Sequence, residues 1–386
     1  MNKEKKIIFN VPKLFGNELK NLNQLEQKQF SANGYYTQKC RQWLIKNVKC
    51  KDAHLVHSCT AALEMCALLL KIKPGDEVIM PSFTFVSTAS AFALRGAKIT
   101  FIDIDHKTLN IDANLIEKNI TKKTKAIVIV HYAGVPCEID KIQKISKRYN
   151  ICLIEDAAQS ILSKYKNRAL GSFGDLATFS FHETKNIHCG EGGALIINNK
   201  KFLKNAYIIK DKGTNRDAFN KNLVKKYSWV GIGSSYGLSE INALFLYNQL
   251  TIAKQITFKR IRIWKQYKKF FKILEDEGKI LTQSIPLHSK LNGHSFFIIV
   301  KRSIRNKLIN YLKSKKVMAL FHYIPLHSSP FGKKVSKNKN KLKFTDLKSE
   351  SIIRMPLHLD IKTNDIIKIK NLLIKFFHKV NNNTNL

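Results

Sequence analysis

The sequence predicts an α/β protein, a mostly parallel sheet flanked by helices and followed by a smaller α+β domain. Residues 54–200 alternate strand-like and helix-like segments. Two of the strand-like segments, AIVIV at 126–130 and ICLIE at 151–155, are unbroken apolar runs, as expected of strands covered on both faces. From about residue 250 the alternation gives way to a long basic helical stretch. Alternation of this length implies parallel strands joined by right-handed crossovers, with ligands held at the carboxyl ends of the strands.

The elements follow in order. A short strand at 54–57 leads into an Ala- and Leu-rich helix at 60–71, and Pro74-Gly75-Asp76 turns the chain into a strand at 77–80. A helix at 85–95 precedes a strand at 98–102, and helices at 113–119 and 139–149 separate the two apolar runs. Further strands are expected at 177–181 and 194–197. The smaller domain is expected to span 251–386, after a large domain with an N-terminal arm over 1–250. It should contain a helix at 252–274, a strand at 295–301 and helices at 305–315 and 364–377, with a solvated loop at 338–343.

Composition narrows the function classes. The 386 residues are 44% hydrophobic and 25% charged, a globular balance, and no apolar run reaches the length of a membrane span. A polar start without a signal core points to the cytoplasm. Seven cysteines without C-x-x-C spacing or a His cluster read as reduced thiols, with no metal expected. The net charge of +39 raises nucleic-acid binding. Lysines spread along the whole chain, without a nucleic-acid-binding motif, instead fit drift toward lysine, so no nucleic acid is expected as a partner.

The chemistry rests on a few segments. Ser58-Cys59-Thr60 follows a strand and opens a helix, where backbone amides and hydroxyls can receive a phosphate, although Ser is also an ordinary helix cap. Asp156 stands at the carboxyl end of the 151–155 run. A buried Asp there can hold the proton of a pyridine nitrogen; the plain alternative is again a cap. Lys185 lies in a loop behind the 177–181 strand, just before Gly190-Glu191-Gly192-Gly193, a setting suited to a Schiff-base lysine. Gly231–Gly237 misses the spacing of a dinucleotide loop and no apolar strand leads into it, which disfavours NAD.

PSFTFVSTASAF (81–92), EDAAQS (155–160), SFHETKNI (180–187), GEGG (190–193), KGTNR (212–216), GSSYGLSE (233–240) and FHYIPLH (321–327) together resemble the DegT/DnrJ/EryC1/StrS sugar aminotransferases. The resemblance runs from about Phe9 to Pro356 with motif order kept. It implies a fold-type-I enzyme using pyridoxal 5′-phosphate (PLP), Lys185 as the covalent lysine and proton shuttle, and Asp156 at the pyridine nitrogen. Gln159 would lie beside the ring and its 3-hydroxyl, and Phe85 would stack on it. Ser58, Cys59, Thr60 and Ser180 would cradle the phosphate, with Ser235 reaching in from the other subunit of a homodimer. His322, Tyr323 and His327 would line the sugar side, and Lys212 and Arg216 would meet the substrate's diphosphate. A structural hydrogen bond is the competing role for the two His residues, and a surface role for Arg216. The segment 187–189 departs from the family's small and polar residues without shifting Lys185, and a lysine there argues against the branch that dehydrates sugars.

Within the family, the pattern implies amination of dTDP-4-dehydro-6-deoxy-D-glucose by L-glutamate. The product would be dTDP-4-amino-4,6-dideoxy-D-galactose for a surface polysaccharide of the enterobacterial common antigen type. Another nucleotide-linked keto-sugar, such as a 3-keto one, is the nearest alternative. A basic binding protein that kept the fold without turnover is the alternative from a different class. Intact Lys185 and Asp156 argue against it.

Overall fold

A computed structural model describes residues 6–18, 22, 25, 30, 32–338 and 341–382. Helix α1 (Tyr35–Val48) packs beside strand β1 (Asp52–Val56), and α2 (Cys59–Leu69), β2 (Glu77–Pro81), α3 (Val86–Ala93) and β3 (Lys98–Ile102) follow. The chain continues through β4 (Thr124–Val130), α4 (Ile139–Arg148), β5 (Cys152–Asp156), a two-residue-stranded ribbon of β6 (Lys164–Tyr165) and β7 (Arg168–Ala169), then β8 (Leu176–Ser180) and β9 (Gly193–Ile197). The segment that the sequence reads as a helix at 113–119 forms two 3-10 turns instead, Ala113–Leu115 and Glu117–Asn119. Asp112 captures the Asn114 amide at 2.9 Å, and such local capture favours a tight turn over an α-helix.

The large sheet has the order β1-β9-β8-β5-β4-β2-β3. Strands β8, β5, β4, β2 and β3 run parallel, whereas β9 runs antiparallel to both β8 and β1. Every residue of β1, β2, β5, β8 and β9 is buried. Helices cover both faces, so these strands need no polar side, which explains their unbroken apolar runs. Because β9 alone is reversed, its start lies at the edge where β1, β2, β4, β5 and β8 end.

Beyond β9, helices α5 (Leu203–Lys210), α6 (Arg216–Asn220) and α7 (Glu240–Thr251) lead to α8 (Ala253–Asp276). A second sheet, β10-β12-β13, comprises β10 (Leu281–Thr282), β12 (Phe296–Ile299) and β13 (Ile352–Met355), while β11 (Ser289–Lys290) joins the β6–β7 ribbon. Helices α9 (Arg302–Ser314), α10 (Pro330–Val335), α11 (Lys343–Ser349) and α12 (Thr363–Asn382) complete the described chain. Tyr267, Phe271 and Phe296 centre an apolar cluster joining α8, α9 and α12 to this small sheet, and Ile7 from the start of the chain packs into it.

The loop expected at 338–343 is not simply solvated. Asn338 donates to the Phe101 carbonyl at 3.1 Å, Leu342 is buried and α11 begins at Lys343; residues 339 and 340 lie outside the described residues. No described helix is long and apolar enough to cross a membrane.

Candidate active site

A cavity of about 490 Å³ opens where the carboxyl ends of the large sheet face the small sheet. Loops after β1, β2, β5 and β8 bring Ser58, Cys59, Thr60, Phe85, Thr88, Asp156, Gln159, Ser180 and Lys185 to it. The opposite wall carries His294, His322, Tyr323 and Arg354. Ligands of such sheets sit at this edge.

Asp156 ends β5 and is buried. Its Oδ2 accepts a hydrogen bond from Thr88 Oγ1 at 2.7 Å, and its Oδ1 accepts one from the Ala158 amide at 3.2 Å. Burial nevertheless raises its pKa above the ordinary carboxylate value, with Thr88, Ala158 and Lys185 opposing. A cation placed against this carboxylate would relieve that cost.

Lys185 follows β8, with its own amide held by the His182 carbonyl at 2.9 Å. Burial lowers its pKa; the positive charge of Arg354 acts in the same direction, while Cys59 and Asp156 oppose it. A larger neutral fraction makes the amine more nucleophilic.

Ser58 is the N-cap of α2, taking the Ala61 amide on its Oγ at 3.0 Å and the Ala62 amide on its carbonyl at 3.2 Å. The cap and the cradle therefore coexist, since the amides of Cys59 and Thr60 lie ahead of these two. Thr60 Oγ1 is tied to Ser87 Oγ at 2.7 Å, and Ser180 is buried at the end of β8. Gly193 makes the close fit possible. A Cβ on it would stand 2.4 Å from the Ser58 carbonyl carbon and 2.5 Å from the Cys59 nitrogen.

Gln159 is pinned at both ends. Its Oε1 accepts the Ala133 amide at 2.6 Å, and its Nε2 donates to Tyr323 Oη at 2.9 Å. Phe85 caps the start of α3 and is 58% exposed at the cavity, so its ring is free to lie against a ligand. The rings of His322 and Tyr323 stack with centroids 3.5 Å apart. Tyr132 Oη sits 2.7 Å from His322 Nδ1. Burial holds Tyr132 protonated and His322 neutral, so this contact is a hydrogen bond between two uncharged groups.

Four expected site residues lie elsewhere in the chain. His327 is outside the cavity: its amide donates to Ser82 Oγ at 2.9 Å, and its Nδ1 shares a 2.7 Å hydrogen bond with the same hydroxyl. The backbone amide and Nδ1 are thus committed to structure, and Nε2 lies 3.3 Å from Asp346 Oδ1. Lys212 and Arg216 stand beside Asp211, at 3.0 and 3.5 Å, and Arg216 borders a second cavity with Lys210 and His54. Ser235 is exposed and bridges to Asp211. None of these four lines the cavity of Lys185.

Sequence reasoning missed Thr88, Tyr132, His294 and Arg354. Thr88 lies one helical turn past Phe85, inside the same motif. Arg354 is the single charge in the apolar run IIRMPL, the only sign it gives.

The residues fit PLP. A buried carboxylate with no ion pair among the described residues faces the cavity, an amine depressed by burial lines the same cavity, and a glycine-permitted helix start offers open amides. Fold and site define a fold-type-I, PLP-dependent aminotransferase. The chain belongs to the DegT/DnrJ/EryC1/StrS aminotransferase family, whose profile matches residues 12–373. It is 35% identical over 334 residues to the uncharacterized protein MJ1066 of Methanocaldococcus jannaschii, covering 84% of this chain and 86% of that protein. The fold matches the aminotransferase TlmJ of Streptoalloteichus hindustanus with a TM-score of 0.88 at 23% identity, covering 97% of this chain and all of that one. It also matches Spr1654 of Streptococcus pneumoniae in its PLP form, at a TM-score of 0.86 and 24% identity, covering 96% of this chain and 99% of that one.

Proposed function

We propose that the protein transfers the amino group of L-glutamate to carbon 4 of dTDP-4-dehydro-6-deoxy-D-glucose. The product is dTDP-4-amino-4,6-dideoxy-D-galactose, destined for a surface polysaccharide. The observation that carries the reaction type is Lys185 and Asp156 lining one cavity together with the amide-bearing start of α2. The choice of sugar rests on the motifs KGTNR, GSSYGLSE and FHYIPLH.

PLP supplies the electron sink that makes the substrate's C–H bond acidic. The protein's residues do the rest. The start of α2, with Ser58, Thr60 and Ser180, would bind the phosphate. Asp156, fixed by Thr88 and the Ala158 amide, would keep the ring nitrogen protonated. Gln159 and Phe85 would orient the ring. Lys185 would hold the cofactor and move the proton at the reacting carbon. His322 and Tyr323 orient the sugar hydroxyls.

The active unit is a homodimer in which Ser235, Lys212 and Arg216 of a second copy reach this cavity. Their position on an exposed face beside Trp229, which is 80% exposed, and Ile232 supports that reading. The two parts of each copy, 1–250 and 251–386, meet at the cavity. The test is incubation with PLP, glutamate and a panel of nucleotide-linked keto-sugars, with NMR of the product. A 4-amino product from the dTDP-4-keto sugar is expected; amination of a 3-keto sugar alone would overturn the assignment of the sugar.

A further inference from the structure

We infer that His294 is a specificity-determining residue for the sugar, its Nε2 accepting a hydrogen bond from the hydroxyl beside the sugar's carbonyl. The inference rests on the sugar-aminotransferase reading above. His294 lies just before β12 and lines the cavity on the small-sheet wall. Its backbone is fixed on both sides: the amide donates to Asn292 Oδ1 at 3.0 Å, and the carbonyl accepts from Arg260 Nη2 at 2.8 Å. Gly293 permits that close approach. Its φ is +64°, and a Cβ on it would stand 2.8 Å from the Arg260 carbonyl carbon.

The neighbours of the ring decide where its proton is. Asn186 Nδ2 donates to the Asn292 carbonyl at 2.9 Å, and a carbonyl can only accept, so the amide oxygen of Asn186 is the atom turned to His294. That oxygen lies 3.2 Å from His294 Nδ1 and can only accept as well, so Nδ1 carries a proton. Burial, together with the charges of Lys185, Arg260 and Arg354, holds the ring neutral. Nε2 is therefore bare, and it has no hydrogen-bond partner among the described residues. His322 makes the contrast: its Nδ1 meets the hydroxyl of Tyr132, a group that serves either tautomer.

A bare ring nitrogen selects by chemistry. The carboxylates of an amino-acid donor offer only acceptor oxygens, and its amine is the group that reacts, so the donor gains nothing from Nε2. A sugar hydroxyl can donate to it. Position narrows the choice of hydroxyl. Asn186, which holds the ring, directly follows Lys185 in the chain, and Lys185 and His294 line one cavity. The sugar's carbonyl carbon must come to Lys185, so the hydroxyl on the next carbon is the one brought to His294. A 4-keto-6-deoxy sugar has one such hydroxyl, on carbon 3.

The test reads the proton and the sugar separately. In cofactor-free protein carrying isotope-labelled histidine, NMR is expected to show a neutral His294 with hydrogen on Nδ1 alone, assigned by the signal lost in His294→Phe. Calorimetry on the PLP-loaded enzyme, without amino donor, then gives the Kd of the keto-sugar and of its analogue lacking the hydroxyl beside the carbonyl. The parent is expected to bind the analogue roughly 5- to 50-fold more weakly, and His294→Phe to bind both sugars about as weakly as the parent binds the analogue. The glutamate KM of the variant should stay within about threefold of the parent. Any hydrogen on Nε2, or a parent that binds the two sugars within about twofold of each other, would overturn the inference. So would a variant that keeps the parent's preference, or one whose glutamate KM rises as much as its sugar Kd, the mark of a merely structural role. The analogue comparison in the parent needs no variant and carries the test if His294→Phe does not fold. It is run on whichever keto-sugar the parent aminates, so a different sugar would revise the proposed function and leave this test standing. An enzyme that aminates no sugar would overturn both.

Discussion

Lys185 is one of many lysines in a very basic chain, and what distinguishes it is a depressed pKa beside a buried carboxylate. Lys185→Ala is expected to abolish transamination while leaving the melting temperature of the cofactor-free protein within a few degrees of the parent. Turnover within a few-fold of the parent would refute its role. Asp156→Asn should cost several powers of ten in rate, because an amide cannot stabilise a protonated ring nitrogen. The same substitution has an opposite effect on the cofactor-free protein. Burial raises the Asp156 pKa, so its carboxyl favours the fold below about pH 4 and loses that contribution as pH rises through the raised value. At pH 7.5 cofactor-free Asp156→Asn should therefore melt at or above the parent, with the gap closing toward pH 4. With PLP bound the order should reverse. Calorimetry across that range checks both signs, and a cofactor-free variant that melts well below the parent at pH 7.5 would contradict the account.

The helices owe much to partners distant in sequence. No side chain of its own caps the start of α1; Glu240 at the start of α7 accepts the amides of Tyr36 at 2.7 Å and Thr37 at 2.9 Å instead. Glu240→Ala removes the acceptor that those amides share and should destabilise the protein by roughly 2–3 kcal/mol, read from denaturant unfolding. Gly193→Ala acts where β9 crosses the start of α2. The added Cβ would push against backbone, not a mobile side chain. The variant should lose about 1–3 kcal/mol of stability and retain PLP at least tenfold more weakly by fluorescence titration. The strands were legible in the sequence because burial on both faces writes itself as an unbroken apolar run, as in 126–130 and 151–155. The Glu240 cap was not legible, since its two partners stand some two hundred positions away and nothing local marks them. The turns at 113–119 were misread because a short apolar period looks alike in an α-helix and in successive 3-10 turns.

Across the molecule, +39 charges on 386 residues create a field that draws in anions. A nucleotide sugar carries about two negative charges on its diphosphate and glutamate carries one net charge, so added salt should raise the sugar KM more steeply than the glutamate KM. Equal salt slopes would show that the field plays no part in capture. The residues contributed by large-sheet loops were legible, Lys185, Asp156 and Gln159 among them, because each sits just past an apolar run. The opposite wall was read only in part. His322 and Tyr323 do face the cavity, but His327, four residues on, turns to Ser82, and a motif's letters do not say which of its side chains point inward. Lys212, Arg216 and Ser235 mark a face that one copy of the chain leaves outside its own cavity; the resemblance already implies this for Ser235, whereas nothing in the letters KGTNR marks it for Lys212 and Arg216.

The adjacent acids that end β5 have unlike duties. Asp156 opens on the cavity, while Glu155, on the other face of the strand, is fully buried and accepts the amides of Gly171, Phe173 and Gly174 together with His131 Nε2. Since neighbouring side chains of a strand point oppositely, sliding β5 by one position changes what each site receives. One direction sets Asp156 against the amides and Ala157 at the cavity, and the other sets Ile154 against the amides and Glu155 at the cavity. Glu155 thus acts as a proofreader of alignment: only one threading of the strand satisfies the amides, and that threading is the one that delivers Asp156 to the cavity.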